Sequence, residues 1–303
     1  MIGMPDFWTH ILAGEKVLKS CENEELSNLI AENYQLYNFG CQGADILFYK
    51  DFWPWKRSKN SSQAASFIHR ISAKDIFAII LKDLDQSEIY KDGKIIAGAE
   101  KRGLLTYLLA FIVHYSLDSI SHPFILANGG AGQKHKLIEI KIDIYMIDKY
   151  WNKDVLELNP QSYYQLKAEF KEEIEQFYAN IFSELLPYPY KAGMIEGAYT
   201  DLKKYHSLFC DNKQYKYYFF KLLNYLYPDE LASYSYQLAK DKEIWSAENY
   251  QQFENYFAQS LNKSREYFTL LFNYFKKEIS LKETLSAFSS RDFLGQNKAK
   301  NSL

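Results

Sequence analysis

Histidine is scarce in this chain, six residues in 303, yet most of it stands beside carboxylates at one repeated interval. The run His114-Tyr-Ser-Leu-Asp118-Ser-Ile-Ser-His122 spaces imidazole, carboxylate and imidazole four residues apart, and His135 with Glu139 repeats the interval. Residues four apart on a helix stack one turn above another on a common face. Both runs therefore aim their side chains in one direction. Neutral imidazole and carboxylate are the groups zinc takes from a protein that offers no thiolate. A zinc-bound water ionises near pH 7, about where hydroxide becomes available as a nucleophile.

Thiolates are not organised to compete. Cys21, Cys41 and Cys210 are far apart and odd in number, neither a disulfide framework nor a C-x-x-C site. Reduced thiols fit a cytoplasmic chain. So does an N-terminus without a basic segment followed by an apolar one, and so does the longest uninterrupted apolar run, Leu104 to Val113, about half of what a bilayer requires. The net charge of −2 shows no basic stripe of the kind that grips extended nucleic acid. The 26 tyrosines and 17% aromatic content read as core and helix-seam packing.

The elements that must position these groups read as helices nearly throughout, a single all-α domain over residues 1–290. Thr9 can cap a first helix carrying Ile11, Leu12, Val17 and Leu18, and Leu26, Leu29, Ile30, Tyr34 and Tyr37 repeat at helical spacing. Gly40 and Gly43 interrupt the pattern before Asp45. A helix is expected from Ser62 through Ile80, carrying His69. Asp92-Gly93 marks a turn. A long helix should run from Gly98 to Ser121 and stop at Pro123. The loop from Asn128 to Gly132 precedes the helix of His135 and Glu139, and Phe253, Phe257, Leu261, Phe268 and Phe272 lie on a final amphipathic helix. The polar stretch 291–303 is expected to fray.

These residues carry a resemblance to the bacterial zinc-dependent phospholipase C family, whose fold also serves zinc-dependent single-strand nucleases. Pro5-Asp-Phe-Trp-Thr-His10 resembles the family's amino-terminal histidine segment, and Gly43-Ala-Asp45 its G-x-D segment. His69 stands in the following helix, His114-Tyr-Ser-Leu-Asp118 matches the H-Y-x-x-D core, and His135-Lys-Leu-Ile-Glu139 matches the H-x-x-x-E pair. The likeness covers roughly the first 150 residues. It implies an all-helical fold with up to three zinc ions. Asp45, His69, His114 and Asp118 would hold the first, His122, His135 and Glu139 the second, and His10 with a bridging Asp118 the third. His206 has no matched partner and reads as a surface or supporting residue.

The resemblance further implies a phosphodiester hydrolase of phospholipase C type, with a metal-activated water attacking phosphorus. Asp45 would take the water's proton, and Asp118 would bridge two metals. Asp6 reads as a helix-start charge. Two departures stand out. Secreted members ligate the third zinc through a free N-terminal tryptophan, whereas Trp8 lies inside this chain, leaving water, Met1 or another group to complete that site. Those members also place the histidine after the aspartate slightly later than His122. Phospholipid is the expected substrate, with transient contact to a membrane surface. Phe52, Trp53, Pro54 and Trp55 with Lys56, Arg57 and Lys59 would dock on headgroups, stack bases, or simply pack as a loop. The alternatives are a single-strand nuclease or phosphatase on the same metals, and a structural or storage metalloprotein without turnover.

Overall fold

A computed structural model describes residues 7–51, 60–84, 86–92, 94–129, 132–166, 169–187, 189–209, 216, 218–219, 221–222, 225 and 235–298. Asp6, Met1, Cys210 and the aromatic loop Phe52 to Lys59 lie outside these residues. The fold is all-α. Its first half contains α1 (Trp8–Lys19), α2 (Glu24–Glu32), α3 (Tyr34–Gly40), a 3₁₀ turn at Gly43–Asp45, α4 (Ile46–Tyr49), α5 (Asn60–Ile68), α6 (Ala73–Asp83), α7 (Gln86–Ile89), α8 (Ala99–Gly129) and α9 (Gln133–Trp151). The second half adds α10 (Glu169–Leu185), α11 (Met194–Phe209), α12 (Tyr236–Lys240), α13 (Ala247–Phe275) and α14 (Leu281–Ala287). The described strands are a two-residue ribbon, Tyr90–Lys91 paired with Lys94–Ile95 across the Asp92 turn.

α8 is the axis of the molecule. Leu108, Leu109, Phe111 and Ile112 point to different sides at 100° per residue, and all are buried. Helices α1, α3, α9, α10 and α13 pack around it. The stretch Lys101–Gly129, longer than the uninterrupted apolar run Leu104 to Val113, is apolar enough by length and composition to cross a bilayer, but 89% of its most apolar window is buried inside the protein. That is the environment of a central helix in a helical bundle. One continuous apolar core runs from Phe7 to Phe293 and draws on both halves of the chain.

Local signals explain most boundaries. Asn23 caps α2 by accepting from the Leu26 amide at 2.9 Å. Ser246 caps α13, and Ser280 with Glu283 forms a capping box on α14. The stripe Phe253, Phe257, Ser260, Ser264, Tyr267 and Leu271 buries one face of α13.

Four expectations are corrected. α8 does not stop at Pro123 but continues to Gly129; the proline, on the exposed side of the helix, removes one ladder hydrogen bond, to the Ser119 carbonyl, while Phe124 and Ile125 beyond it pack into the core and carry the helix on. The helix expected over 62–80 breaks after Ile68, and the chain turns through His69–Ser72 before α6. α1 is not capped by Thr9: the helix starts at Trp8, and its free amides go to Asp143. The C-terminal stretch does not fray from residue 291, because Asp292 and Phe293 are fully buried.

Candidate metal centre

The site is assembled from five places in the chain. α1 delivers His10, the turn after α3 delivers Asp45, and the break after α5 delivers His69. α8 delivers His114, Asp118 and His122, and α9 delivers His135 and Glu139. Each is buried, none more than 8% exposed. All eight candidate ligands meet around Asp118 and Glu139.

Asp118 is the hub. Its Oδ1 lies 3.4 Å from His10 Nε2, and its Oδ2 lies 3.4 Å from His114 Nε2, 3.7 Å from His69 Nε2 and 3.9 Å from His122 Nδ1. Asp45 presents one oxygen to His69 Nε2 at 2.9 Å and the other to His114 Nε2 at 3.9 Å. Glu139 Oε1 stands 3.5 Å from His122 Nε2 and 2.9 Å from His135 Nε2. One compact donor set is His10, Asp45, His114 and Asp118, with His69 alongside; a second is His122, His135 and Glu139.

The donor set fits zinc on three grounds. Two atoms bound to one tetrahedral zinc at about 2.0–2.2 Å stand about 3.3–3.6 Å apart; Asp118 with His10 and with His114, each at 3.4 Å, and Glu139 with His122, at 3.5 Å, fall in that range and are long for good hydrogen bonds. The remaining pairs are either shorter, at 2.9 Å, or longer, at 3.7–3.9 Å. Next, His114 is wholly buried with neither ring nitrogen hydrogen-bonded, and Asp118 Oδ2 also lacks a hydrogen bond. A bound cation removes the desolvation cost of such atoms, about 1–3 kcal/mol each. Last, two imidazoles are oriented from behind. His69 Nδ1 donates to the Ala65 carbonyl at 2.7 Å and His122 Nδ1 to the Phe293 carbonyl at 2.9 Å, leaving each Nε2 turned toward a carboxylate.

Protonation follows from burial and neighbours. Burial raises the Asp45 carboxyl to about 6, against the pull of His69. Burial opposes charge on His69, yet Asp45 and Asp118 hold it up at about 10. Burial drives His114 well below the usual histidine range. Burial also opposes the charge of Asp118, but His114 and His122 keep that carboxyl well below its ordinary value. Glu139 is held at about 2 by His135 and His122 against the same opposition.

Several residues support the ligands, Gly43 marked in sequence by the break before Asp45 and the others without a signal of their own. Gly43 has φ +51°, and a Cβ there would fall 2.0 Å from the His114 ring, so only glycine lets Asp45 approach that histidine. Tyr178 Oη donates to the Gly43 carbonyl at 2.6 Å and meets Tyr107 Oη at 3.1 Å, bracing the turn from α10. Asp143 lies one turn beyond Glu139 and accepts the amides of Phe7, Trp8 and Thr9 at 3.0, 2.9 and 2.6 Å, with hydroxyls of Thr9 at 2.6 Å and Tyr236 at 2.5 Å. The His135, Glu139, Asp143 spacing was visible, but nothing in sequence tied its last member to α1. Trp8 is buried and its amide is occupied by Asp143. His206 is not a surface residue: it is buried, bonded through Nδ1 to Tyr164 Oη at 2.8 Å, and packed edge-on against Phe7 at 4.5 Å.

A groove of about 350 Å³ lined by Ile80, Lys101, Leu104, Glu173, Gln176, Phe177 and Asn180 touches no candidate ligand.

The sequence model of the family described as zinc dependent phospholipase C matches residues 9–188 of this chain, more than half its length. The chain belongs to the zinc-dependent phospholipase C family. No curated protein and no solved structure matches it. All eight candidate ligands, His10 to Glu139, fall inside the region matched to this phospholipase C family, as do Gly43, Asp143 and Tyr178. The Phe293 segment that orients His122 falls outside it.

Proposed function

We propose that the protein is a zinc-dependent phosphodiester hydrolase of phospholipase C type, acting on phospholipid. The observation that carries the reading is the pair of adjacent buried donor sets, one around Asp118, whose two oxygens face His10 and His114, and one around Glu139, which faces His122 and His135. Asp45, His69, His114 and Asp118 would hold one zinc, His122, His135 and Glu139 a second, and His10 with the other oxygen of Asp118 a third. Bound there, zinc supplies a water acidified toward neutral pH and a Lewis acid for phosphoryl oxygen. Three dications against the charges of Asp45, Asp118 and Glu139 leave an excess positive field, which suits an anionic phosphodiester.

The chain's own groups divide the remaining work. Asp45, whose carboxyl burial raises, is the candidate to accept a proton from water. His122 and His135 are the most exposed of the ligands, so substrate meets the second donor set first. That set offers three protein ligands, which leaves a coordination position open in the manner of catalytic zinc sites. The phospholipid substrate follows the family name, and a membrane surface is where the protein would meet it. The near-neutral net charge supports phospholipid over extended nucleic acid.

The test is metal content by mass spectrometry, followed by turnover of phosphatidylcholine, a generic phosphodiester, a phosphomonoester and single-stranded DNA on one preparation. Zinc-dependent release of diacylglycerol, faster than the other reactions, is the expected result. Preferred cleavage of DNA or of the monoester moves the assignment to a nuclease or phosphatase. Zinc-replete protein with no hydrolysis of any of the four makes it a structural metalloprotein.

A further inference from the structure

The C-terminal stretch folds into a closed turn that reaches the metal centre. Arg291 pairs with Asn297. The Asp292 amide donates to the Gln296 carbonyl at 3.0 Å, and Asp292 Oδ1 accepts the Gln296 amide at 2.8 Å. Lys298 Nζ meets Asp292 Oδ2 at 2.9 Å. The turn is anchored by its Arg291 carbonyl, which accepts from the Ala73 amide and the Tyr115 hydroxyl, each at 3.2 Å.

Its seat is the irregularity that Pro123 makes in α8. Proline at 123 leaves the Ser119 carbonyl without its helical N–H. Gly295, at φ +74°, lies against that carbonyl: a Cβ there would come within 2.6 Å of Ser119 O and 2.5 Å of Pro123 Cγ. Positive φ and close approach together call for glycine. The two contact residues on α8, Ser119 and Pro123, directly follow Asp118 and His122 in the chain.

Phe293 then touches both donor sets. Its amide donates to the His69 carbonyl at 3.1 Å, and its carbonyl accepts from His122 Nδ1 at 2.9 Å. Its ring is buried against His69, His114 and Tyr115, with centroids at 5.2, 5.7 and 5.0 Å. A carbonyl only accepts, so His122 must carry a proton on Nδ1, and its Nε2 is turned toward Glu139.

We propose that the Arg291–Lys298 turn, outside the region matched to the family, is a positioning element of the metal centre, with the Phe293 main chain setting the tautomer and direction of His122 and tying it to the His69 turn. The proposal rests on the zinc reading above. Loss of such an outer partner weakens metal binding by about 10–100-fold. That loss should fall on the His122, His135 and Glu139 set, because His122 is the ligand released.

The test uses full-length zinc-loaded protein, wild type beside Gly295→Ala and the exposed control Gln296→Ala. Zinc affinity is read by competition with chelators of graded strength, helix content by circular dichroism, and the His122 tautomer of the wild type by long-range ¹⁵N–¹H correlation. Expected are release of one class of zinc from Gly295→Ala at about 10–100-fold lower chelator strength, unchanged binding in Gln296→Ala, and a wild-type His122 protonated at Nδ1. Equal zinc affinity in Gly295→Ala and wild type overturns the proposal alone. A wild-type His122 protonated at Nε2 overturns the proposal whether or not the variant folds, and removes His122 from the proposed zinc ligands as well. Wild-type protein that binds no zinc overturns the underlying zinc reading and the proposal with it.

Discussion

Asp118 and Gly43 show how narrowly single residues define the centre. Asp118 lies within 3.9 Å of His10, His69, His114 and His122, more histidines than any other carboxylate of the site, so Asp118→Asn removes charge from two proposed metal positions at once. Zinc titration should show a loss larger than the ~10–100-fold that an outer partner costs, with hydrolysis abolished; near-normal turnover would contradict the bridging assignment. Gly43→Ala places a methyl into the His114 ring at a backbone angle that disfavours L-residues. Denaturant unfolding should show about 2–5 kcal/mol of lost stability, and a loss below about 1 kcal/mol would mean the turn relaxes freely. His206 makes a prediction about pH. Burial lowers it to about 3, below its unfolded value near 6.5. Above pH 6.5 both states are neutral and the folded state keeps its full stability. As pH falls from 6.5 toward 3, the unfolded chain binds a proton that the folded one refuses. Wild type should therefore lose up to about 1.4 kcal/mol per pH unit relative to His206→Phe across that window, and parallel stability curves would refute this.

At the scale of elements, α9 does two things with one face. His135 and Glu139 face the second donor set, and Asp143, one turn on, collects the amides that begin α1, the helix of His10. Asp143→Ala should cost at least the ~2 kcal/mol at the upper end for helix N-caps. It should also loosen the zinc that His10 shares with Asp118; unfolding curves and zinc titration unchanged from wild type would show that α1 is held by other contacts. This link was not legible in the sequence, because a helix cap supplied from 134–136 residues away leaves no local spacing. What was legible had local periodicity: the four-residue intervals on α8 and α9, the stripe on α13, and the glycine break before Asp45. Boundaries decided by tertiary packing were missed. Pro123, itself exposed, does not end α8 because Phe124 and Ile125 beyond it are packed into the core, and the expected 62–80 helix breaks at His69, whose carbonyl meets Phe293 instead.

At the scale of the molecule, the tyrosine-rich second half is a brace for the first. α10 supports the Asp45 turn through Tyr178, α13 packs along α8, and the chain returns at Phe293 to the centre that the first 150 residues begin. The family match ends at residue 188, yet the core continues to Phe293. Apolar spacing pointed to the helical class and composition to aromatic packing, but neither could show that an end expected to fray closes over a buried histidine. A polar stretch with two apolar residues has no periodicity, and only the notch at Pro123 and the glycine opposite it explain where the turn sits.

The central claim is that helices brought from five places in the chain form one zinc centre competent for phosphodiester hydrolysis. It is tested most directly by counting zinc per chain in the purified protein while following phosphatidylcholine cleavage as a chelator strips the metal and added zinc restores it. The account predicts two or three tightly held zinc ions, about one per donor set, with activity lost and regained in step with them. Protein that binds no zinc, or that cleaves phospholipid equally well without it, would contradict it.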